Sequence, residues 1–295
     1  MPIGAELSLP VRATLRATAY GLGALPVGTG QHRAVNQVYK RCLSHVSTPG
    51  DLKMTFSDGT CFELDVTDFT QAQAYLTRRY DPELVQYITA QLSPGDVYID
   101  VGAHVGMVAV SVARNVAGVK VHAFEPHPIN ADRFLRNQTL NKVAGITVNR
   151  MAVGDQNGEL TLASPGGGSD SFYVSNSGGD GLRVPVTTLD EYAKDRRLSK
   201  VQLLKLDVEG YEPAALRGAK HLIDAGRINV IVCELSESLL MRSGGSESSL
   251  VDWLADRNYS MHELPRLGLH RFRSMPANHY RNVAFVYGRA ATADR

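Results

Sequence analysis

The chain has 295 residues, enough for one large α/β domain with an extension or for two small domains. Its 31 basic and 30 acidic residues leave a net charge of +1, so no global positive field recruits nucleic acid or an anionic membrane. A hydrophobic fraction of 43% suits a full globular core, and no segment reaches the roughly 18 apolar residues of a membrane span. Cys42, Cys61 and Cys233 lack metal-like spacing. Arg12 and Arg16 interrupt the N-terminal apolar stretch where the core of a leader would lie. Both features predict a reducing, cytoplasmic setting.

Residues 1–80 read as an N-terminal extension and 81–295 as the main domain. Leu15–Leu25 and Ala34–Val46 carry short amphipathic helical patterns, broken at Pro26–Gly30. They predict a cap on the core, a contact between copies of the chain, or a substrate lid. Leu52–Phe56 and Cys61–Val66 are two β runs joined by Ser57-Asp58-Gly59-Thr60, a favoured hairpin turn. Asp81-Pro82-Glu83 is an N-cap with proline at the first helical position, and Ser93-Pro94-Gly95 stops that helix after Leu92.

Strands and helices then alternate. Strands are predicted over Val97–Val101, Val119–Phe124, Ile146–Arg150, Val201–Leu206, Ile228–Leu235, Tyr259–Leu264 and Asn282–Gly288. Helices are predicted over Val105–Val116, Ile129–Asn141, Thr188–Asp195, Pro213–Ala225 and Glu247–Arg257. Strands separated by helices pair in parallel through right-handed crossovers. The last two strands lack an intervening helix, so one runs antiparallel. Asn157–Leu162 and Val184–Thr187 form an added hairpin-like element. The glycine- and serine-rich stretch Ser164–Gly181 between them is either a linker or, because Phe172-Tyr173-Val174 stand at its centre, a loop that closes over a ligand.

Chemistry concentrates at the strand ends. Val97–Gly106, V-Y-I-D-V-G-A-H-V-G, runs from a strand through Asp100 into a glycine turn, and the next strand ends in Glu125. Glycines let a ligand approach the backbone, and an acid at the second strand's end accepts hydrogen bonds from ribose hydroxyls. Gly102 and Gly106 are four apart, with His104 where a dinucleotide fingerprint has its middle glycine. That side chain crowds a pyrophosphate but not an unphosphorylated nucleoside, and Asp100 favours a cationic group. Ribose, adenine and an α-amino group together describe S-adenosylmethionine. Gly102 and Ala103 supply the close backbone approach, and Gly106 ends the turn. Asp155, following Ala152-Val153-Gly154, reaches toward the adenine amino group.

Asp207 and Glu209 end the fourth strand two residues apart, which on an extended chain puts them on one side together with Lys205. Glu234 ends the fifth strand. This trio would orient or deprotonate an acceptor as metal-free carboxylates, or would hold Mg²⁺ through oxygen ligands. Glu209 could instead be a structural ion-pair partner of Lys205. His104 is either a base or the start of the helix. Asn137 and Asn141 are helix-end residues near the pocket.

The chain resembles the FkbM family of S-adenosylmethionine-dependent methyltransferases. The matching blocks are Asp81–Leu84 (D-P-E-L), Gly95–Gly106 (G-D-V-Y-I-D-V-G-A-H-V-G), Phe124–Pro126 (F-E-P), Ala152–Asp155 (A-V-G-D) and Leu204–Glu212 (L-K-L-D-V-E-G-Y-E), in the family's order over roughly residues 55–240. The resemblance implies a class I, Rossmann-like methyltransferase fold, with a seven-stranded, mostly parallel sheet and helices on both faces. With the strand-end reading, donor binding is expected from Asp100, Gly102, Ala103, His104, Gly106, Glu125, Pro126, Val153, Asp155 and Asp207. The resemblance implies methylation of a hydroxyl, on a sugar, glycolipid or polyketide-type acceptor, and the strand-end reading expects catalysis from Asp207, Glu209, Glu234 and His104. The alternatives are a non-catalytic nucleoside-binding module and a nitrogen acceptor. The Asn-Pro-Pro-Tyr type of motif that nitrogen methylation often uses is absent after the fourth strand, which leans toward oxygen. The missing middle glycine argues against a nicotinamide enzyme.

Overall fold

A computed structural model describes residues 9–25, 29–43, 51–163, 173–174, 181–242, 244–264 and 281–288. The extension begins with α1 (Leu9–Gly23) and α2 (Thr29–Val38), the latter closing in a π-helical turn at Tyr39–Leu43. The hairpin follows as β1 (Asp51–Thr55) and β2 (Cys61–Asp65), paired from Asp51↔Asp65 to Thr55↔Cys61. Next comes α3 (Phe69–Thr77), a helix that sequence periodicity does not reveal. Gln71, Ala72, Ala74, Tyr75, Leu76 and Thr77 are all buried, so no polar stripe marks its outer face.

The main domain opens with α4 (Pro82–Ala90), whose N-cap Asp81 accepts from the Leu84 amide at 3.3 Å. Then come β3 (Val97–Val101), α5 (Met107–Asn115), β4 (Lys120–Phe124), α6 (Pro128–Leu140) and β5 (Ile146–Asn149). Four short strands leave the main sheet and form their own: β6 (Ala152–Val153), β7 (Gly158–Ala163), β8 (Tyr173–Val174) and β9 (Leu182–Thr187), in the order β6-β9-β7-β8. Residues 164–172 and 175–180, which carry the question of lid or linker, lie outside the described residues.

The chain returns through α7 (Leu189–Asp195), β10 (Val201–Leu206), α8 (Glu212–Arg217), α9 (Lys220–Asp224), β11 (Ile228–Leu235), α10 (Glu237–Arg242), α11 (Glu247–Ala255), β12 (Tyr259–Glu263) and β13 (Arg281–Tyr287). The single helix expected over Pro213–Ala225 is two helices. At Gly218 a side chain would overlap the Gly154 carbonyl, and the chain steps past it there. The short helix α10 is not foreseen by the pattern.

The seven-stranded sheet has the order β12-β13-β11-β10-β3-β4-β5, parallel except for β13, which runs antiparallel to both neighbours. Its topological switch lies between β3 and β10, which are adjacent although α5, α6, α7 and six strands separate them in sequence. This is the class I methyltransferase topology. Period-2 alternation divides the buried residues between the two faces. Tyr98, Val121, Ala123 and Leu203 pack with Leu52, Phe62, Leu64, Ala72 and Leu76 of the extension. Ile99, Val101, Phe124, Leu204 and Leu206 pack with Leu189, Leu216, Leu250 and Leu254 from the opposite face. The extension therefore covers one face of the sheet in a shared core.

Asn137 and Asn141 seal that cover. Asn137 sits on α6 and Asn141 caps its C-terminus, and both bond the edge of β2: Asn137 accepts from the Glu63 amide at 2.7 Å, and Asn141 accepts from the Cys61 amide at 2.8 Å. Their amide nitrogens donate back to the carbonyls of Glu63 and Cys61. Two asparagines thus act as a surrogate strand for an otherwise open edge.

Candidate active site

The cleft sits at the carboxyl ends of β3, β4 and β10, where an open α/β sheet places its ligands. It encloses 1070 Å³ counted out to its open mouth. Among the residues expected from sequence, Asp100, Gly102, Ala103, His104, Glu125, Pro126, Val153, Asp207 and Glu209 line it.

The glycine turn is built by close backbone packing. The amides of Gly102 and Ala103 both donate to the Phe124 carbonyl at 3.0 Å. Gly102 has φ +77, and a Cβ there would overlap the carbonyl oxygen of Asp207. Gly106 has φ +84 against the Phe134 ring; it shapes the turn and starts α5 without appearing in the cleft wall. His104 adopts φ +52, a conformation that non-glycine residues rarely hold.

Glu125 is the keystone of the turn. Its Oε2 accepts from the His104 amide at 2.8 Å and its Oε1 from the His127 amide at 2.9 Å. Burial raises its pKa, against the pull of His104, those two amides and Asn130. The His104 ring points to Asp68, the N-cap of α3, with Nε2 3.7 Å from Oδ2. Burial disfavours the imidazolium, but Asp68 outweighs it and holds His104 above its ordinary value. Burial likewise works against Asp68 ionisation, and His104 with the Gln71 amide overcomes it, so Asp68 lies below its ordinary value.

On the switch-point side, Lys205 is the register partner of Asp100. Its Nζ lies 3.2 Å from Asp100 Oδ1 and 3.2 Å from Asp207 Oδ2. Burial opposes the ammonium, but the two carboxylates more than compensate and its pKa is raised. Asp100 is raised by burial, with Lys205 pulling the other way. Lys205 is thus paired with Asp100 and Asp207 rather than with Glu209. Glu209 reaches the cleft through a turn, not by strand alternation: β10 ends at Leu206, and Glu209 has φ +55.

Two further expected residues stand elsewhere. Asp155 is ion-paired to Arg217 at 3.0 Å and is absent from the cleft wall. Glu234 lies on β11 opposite Asn282 of β13, also outside the cleft lining. The His122 ring meets the Tyr192 hydroxyl at 2.8 Å, away from the cleft. Among the described residues no cluster of three or more His, Cys, Asp or Glu side chains could hold a metal ion.

The structure also adds residues. Thr70 and Tyr80 come from the extension, and Met107, Asn130, Met151 and Leu162 from the main domain; Tyr211, expected near the acceptor from its place after Gly210, lines the cleft as well. Tyr80 stands one residue before the N-cap Asp81 with no pattern to flag it. Its pKa is raised by burial first and then by Asp207.

The model of the methyltransferase FkbM domain matches residues 100–261, more than half of the chain. The chain belongs to the FkbM methyltransferase family. It is 29% identical over 178 residues to the 31-O-demethyl-FK506 methyltransferase FkbM of Streptomyces tacrolimicus, covering 50% of this chain and 68% of that one. It is 24% identical over 159 residues to the hexuronic acid methyltransferase AglP of Haloferax volcanii, covering 53% and 63%. This FkbM-family chain thus spans about two thirds of the length of these relatives. Solved structures with similar folds include precorrin-6y C5,15-methyltransferase from Geobacter metallireducens, at 13% identity and TM-score 0.42 over 70% of this chain and 87% of that one. Another is M. jannaschii TYW2 in complex with AdoMet, at 12% identity and TM-score 0.41 over 81% and 86%.

Proposed function

We propose that this protein transfers a methyl group from S-adenosylmethionine to a hydroxyl of a small-molecule or glycan acceptor. The observation that carries the reading is the Asp100–Lys205–Asp207 charge array at the switch point, beside a glycine turn held by Glu125. Binding of a nucleoside requires only the turn and Glu125. The partly exposed Asp207 next to them adds a group able to work on an acceptor.

The residues fit the donor. Asp100 lines the cleft; its Oδ1 is ion-paired to Lys205, and its Oδ2, buried without a hydrogen-bond partner, is a place for a ligand ammonium. Glu125 retains lone pairs for ribose hydroxyls, and Phe124, Met151 and Val153 offer an apolar wall. When bound, the donor supplies a sulfonium methyl group. The side chain of Asp207 is 29% exposed, so it reaches solvent and an acceptor alike. It orients the hydroxyl and accepts its proton, and Lys205 balances the charge as that proton moves. Fixing the acceptor can supply about 7–11 kcal/mol of the barrier.

The relatives named for a demethylated FK506 and a hexuronic acid support polyketide or sugar hydroxyls as the acceptor class. Carboxylates at the mouth disfavour nucleic acid. The three cysteines stand unpaired, in keeping with a cytoplasmic setting, and among the described residues no helix is long and apolar enough to cross a membrane. A contact between copies through the extension belongs to the same reading. Because Lys205 occupies Asp207, and Glu234 stands outside the cleft lining, turnover is expected to be indifferent to chelator.

The test uses labelled donor with methyl glucoside, methyl glucuronoside and a macrolide alcohol as probe acceptors, and NAD as the binding control. Asp207→Asn is expected to lower turnover by at least about a hundredfold. Calorimetry should show affinity for S-adenosylhomocysteine within a fewfold of wild type. Ordinary turnover in the variant would return Asp207 to a structural role, and NAD bound more tightly than donor would overturn the class.

A further inference from the structure

We propose that Glu212 is the positioning residue of the acidic turn after β10, fixing the backbone from which Asp207 and Glu209 enter the cleft. The part of this that concerns the acceptor rests on the methyl-transfer reading; the part that concerns the turn does not.

The turn is unfavourable on its own. Glu209 and Gly210 follow one another with φ +55 and φ +96, and a side chain at Gly210 would overlap the Leu239 carbonyl. A non-glycine residue in this region costs roughly 1–2 kcal/mol. Something must hold it. From one side, Val101 receives the Asp207 amide at 3.1 Å, and the missing side chain of Gly102 makes room for the Asp207 carbonyl. From the other side, Glu212 Oε1 accepts from the Val208 amide at 3.0 Å and from the Gly210 amide at 3.3 Å. Two amides of one turn converging on a single oxygen make a small anion nest, here filled by the protein's own carboxylate.

Glu212 is poorly explained as a device for stability. It is 2% exposed, and its Oε2 is buried without a hydrogen-bond partner. Burial pushes its pKa up to about 7, against its own amide and those of Val208 and Gly210, and Asp207 adds to the rise. A buried acid under that penalty costs stability, and what it provides in return is the conformation of a turn that is unfavourable on its own. It fixes the one turn that carries two acids of the cleft, while its own side chain is absent from the cleft wall.

The experiment compares wild type, Glu212→Ala and Glu212→Gln by amide exchange and by calorimetry with S-adenosylhomocysteine. In Glu212→Ala, exchange in residues 207–211 should quicken at least tenfold, while residues 97–106 stay as protected as in wild type. Affinity for S-adenosylhomocysteine should stay within threefold. Glutamine keeps the accepting oxygen, so Glu212→Gln should restore most of the protection. Unchanged exchange in the alanine variant, equal loosening of both segments, or no rescue by glutamine would each overturn the proposal. With an acceptor that the wild type methylates, Glu212→Ala should lower kcat tenfold or more at unchanged donor KM; an unchanged kcat on a loosened turn would overturn the link to Asp207. Failure of the wild type to bind S-adenosylhomocysteine would sink the methyl-transfer reading and leave the exchange result standing.

Discussion

Glu125 does two jobs with one carboxylate. Its oxygens hold the amides of His104 and His127, and so they set the turn before any ligand arrives. The same group, at the end of β4, is the ribose acceptor in the proposed reading. Charge-assisted hydrogen bonds to two hydroxyls contribute about 2–3 kcal/mol together. Glu125→Ala is therefore expected to weaken S-adenosylhomocysteine by roughly thirty- to a hundredfold. Calorimetry showing unchanged affinity would remove Glu125 from the donor site. The neighbouring His104 shows how little a residue's identity reveals of its direction. From the sequence it is either a base or the start of the helix. Its backbone serves Glu125 and its ring reaches Asp68 of the extension.

At the scale of elements, the glycine turn and the strand-end acids are one unit, because Gly102 lies directly against the carbonyl of Asp207. Gly102→Ala is expected to destabilise the fold by several kcal/mol or abolish soluble expression, since φ and space both forbid the side chain. Gly95→Ala supplies the contrast. Its φ of +91 imposes strain, but nothing lies within 4 Å of the added carbon. That variant should fold and lose only about 1–2 kcal/mol, read by urea titration. Most elements were legible from periodicity and punctuation, including α4 with its Asp81-Pro82 start and an antiparallel strand among the last two, which the structure assigns to β13. The helix α3 was not, because burial on nearly every side erases the amphipathic stripe. Nor was the break at Gly218, where the reason is a distant carbonyl rather than a local signal.

Across the whole molecule, the extension and the sheet share a core and are also joined by the His104–Asp68 pair. Stability should consequently depend on pH. Glu212 titrates at about 7 in the fold against an ordinary 4.5, so the folded state holds its proton longer than the unfolded chain. Its contribution is fully present below about 4.5 and is lost as pH rises through about 7, on the order of 3 kcal/mol. His104, raised by Asp68, acts with the same sign above its ordinary value of 6.5. Wild type should therefore lose thermal stability between about pH 5 and 8. Glu212→Gln and His104→Asn should each flatten that slope in a calorimetric scan. A slope identical in all three proteins would contradict these assignments.

The sequence alone determined the class of the sheet, its switch point and four of the acids at its rim, Asp100, Glu125, Asp207 and Glu209. Strand periodicity, glycine spacing and strand-end carboxylates are local features, and the fold rule converts them into a location. The tertiary structure decided which groups meet. It paired Lys205 with Asp100 and Asp207, because β10 lies beside β3 in register. It bound Asp155 to Arg217, brought Thr70 and Tyr80 from the extension to the cleft wall, and placed Glu212 beneath the turn. Each of these contacts depends on the packing of segments far apart in the chain, or on backbone dihedrals at a single residue, and neither leaves a periodic trace in the order of amino acids.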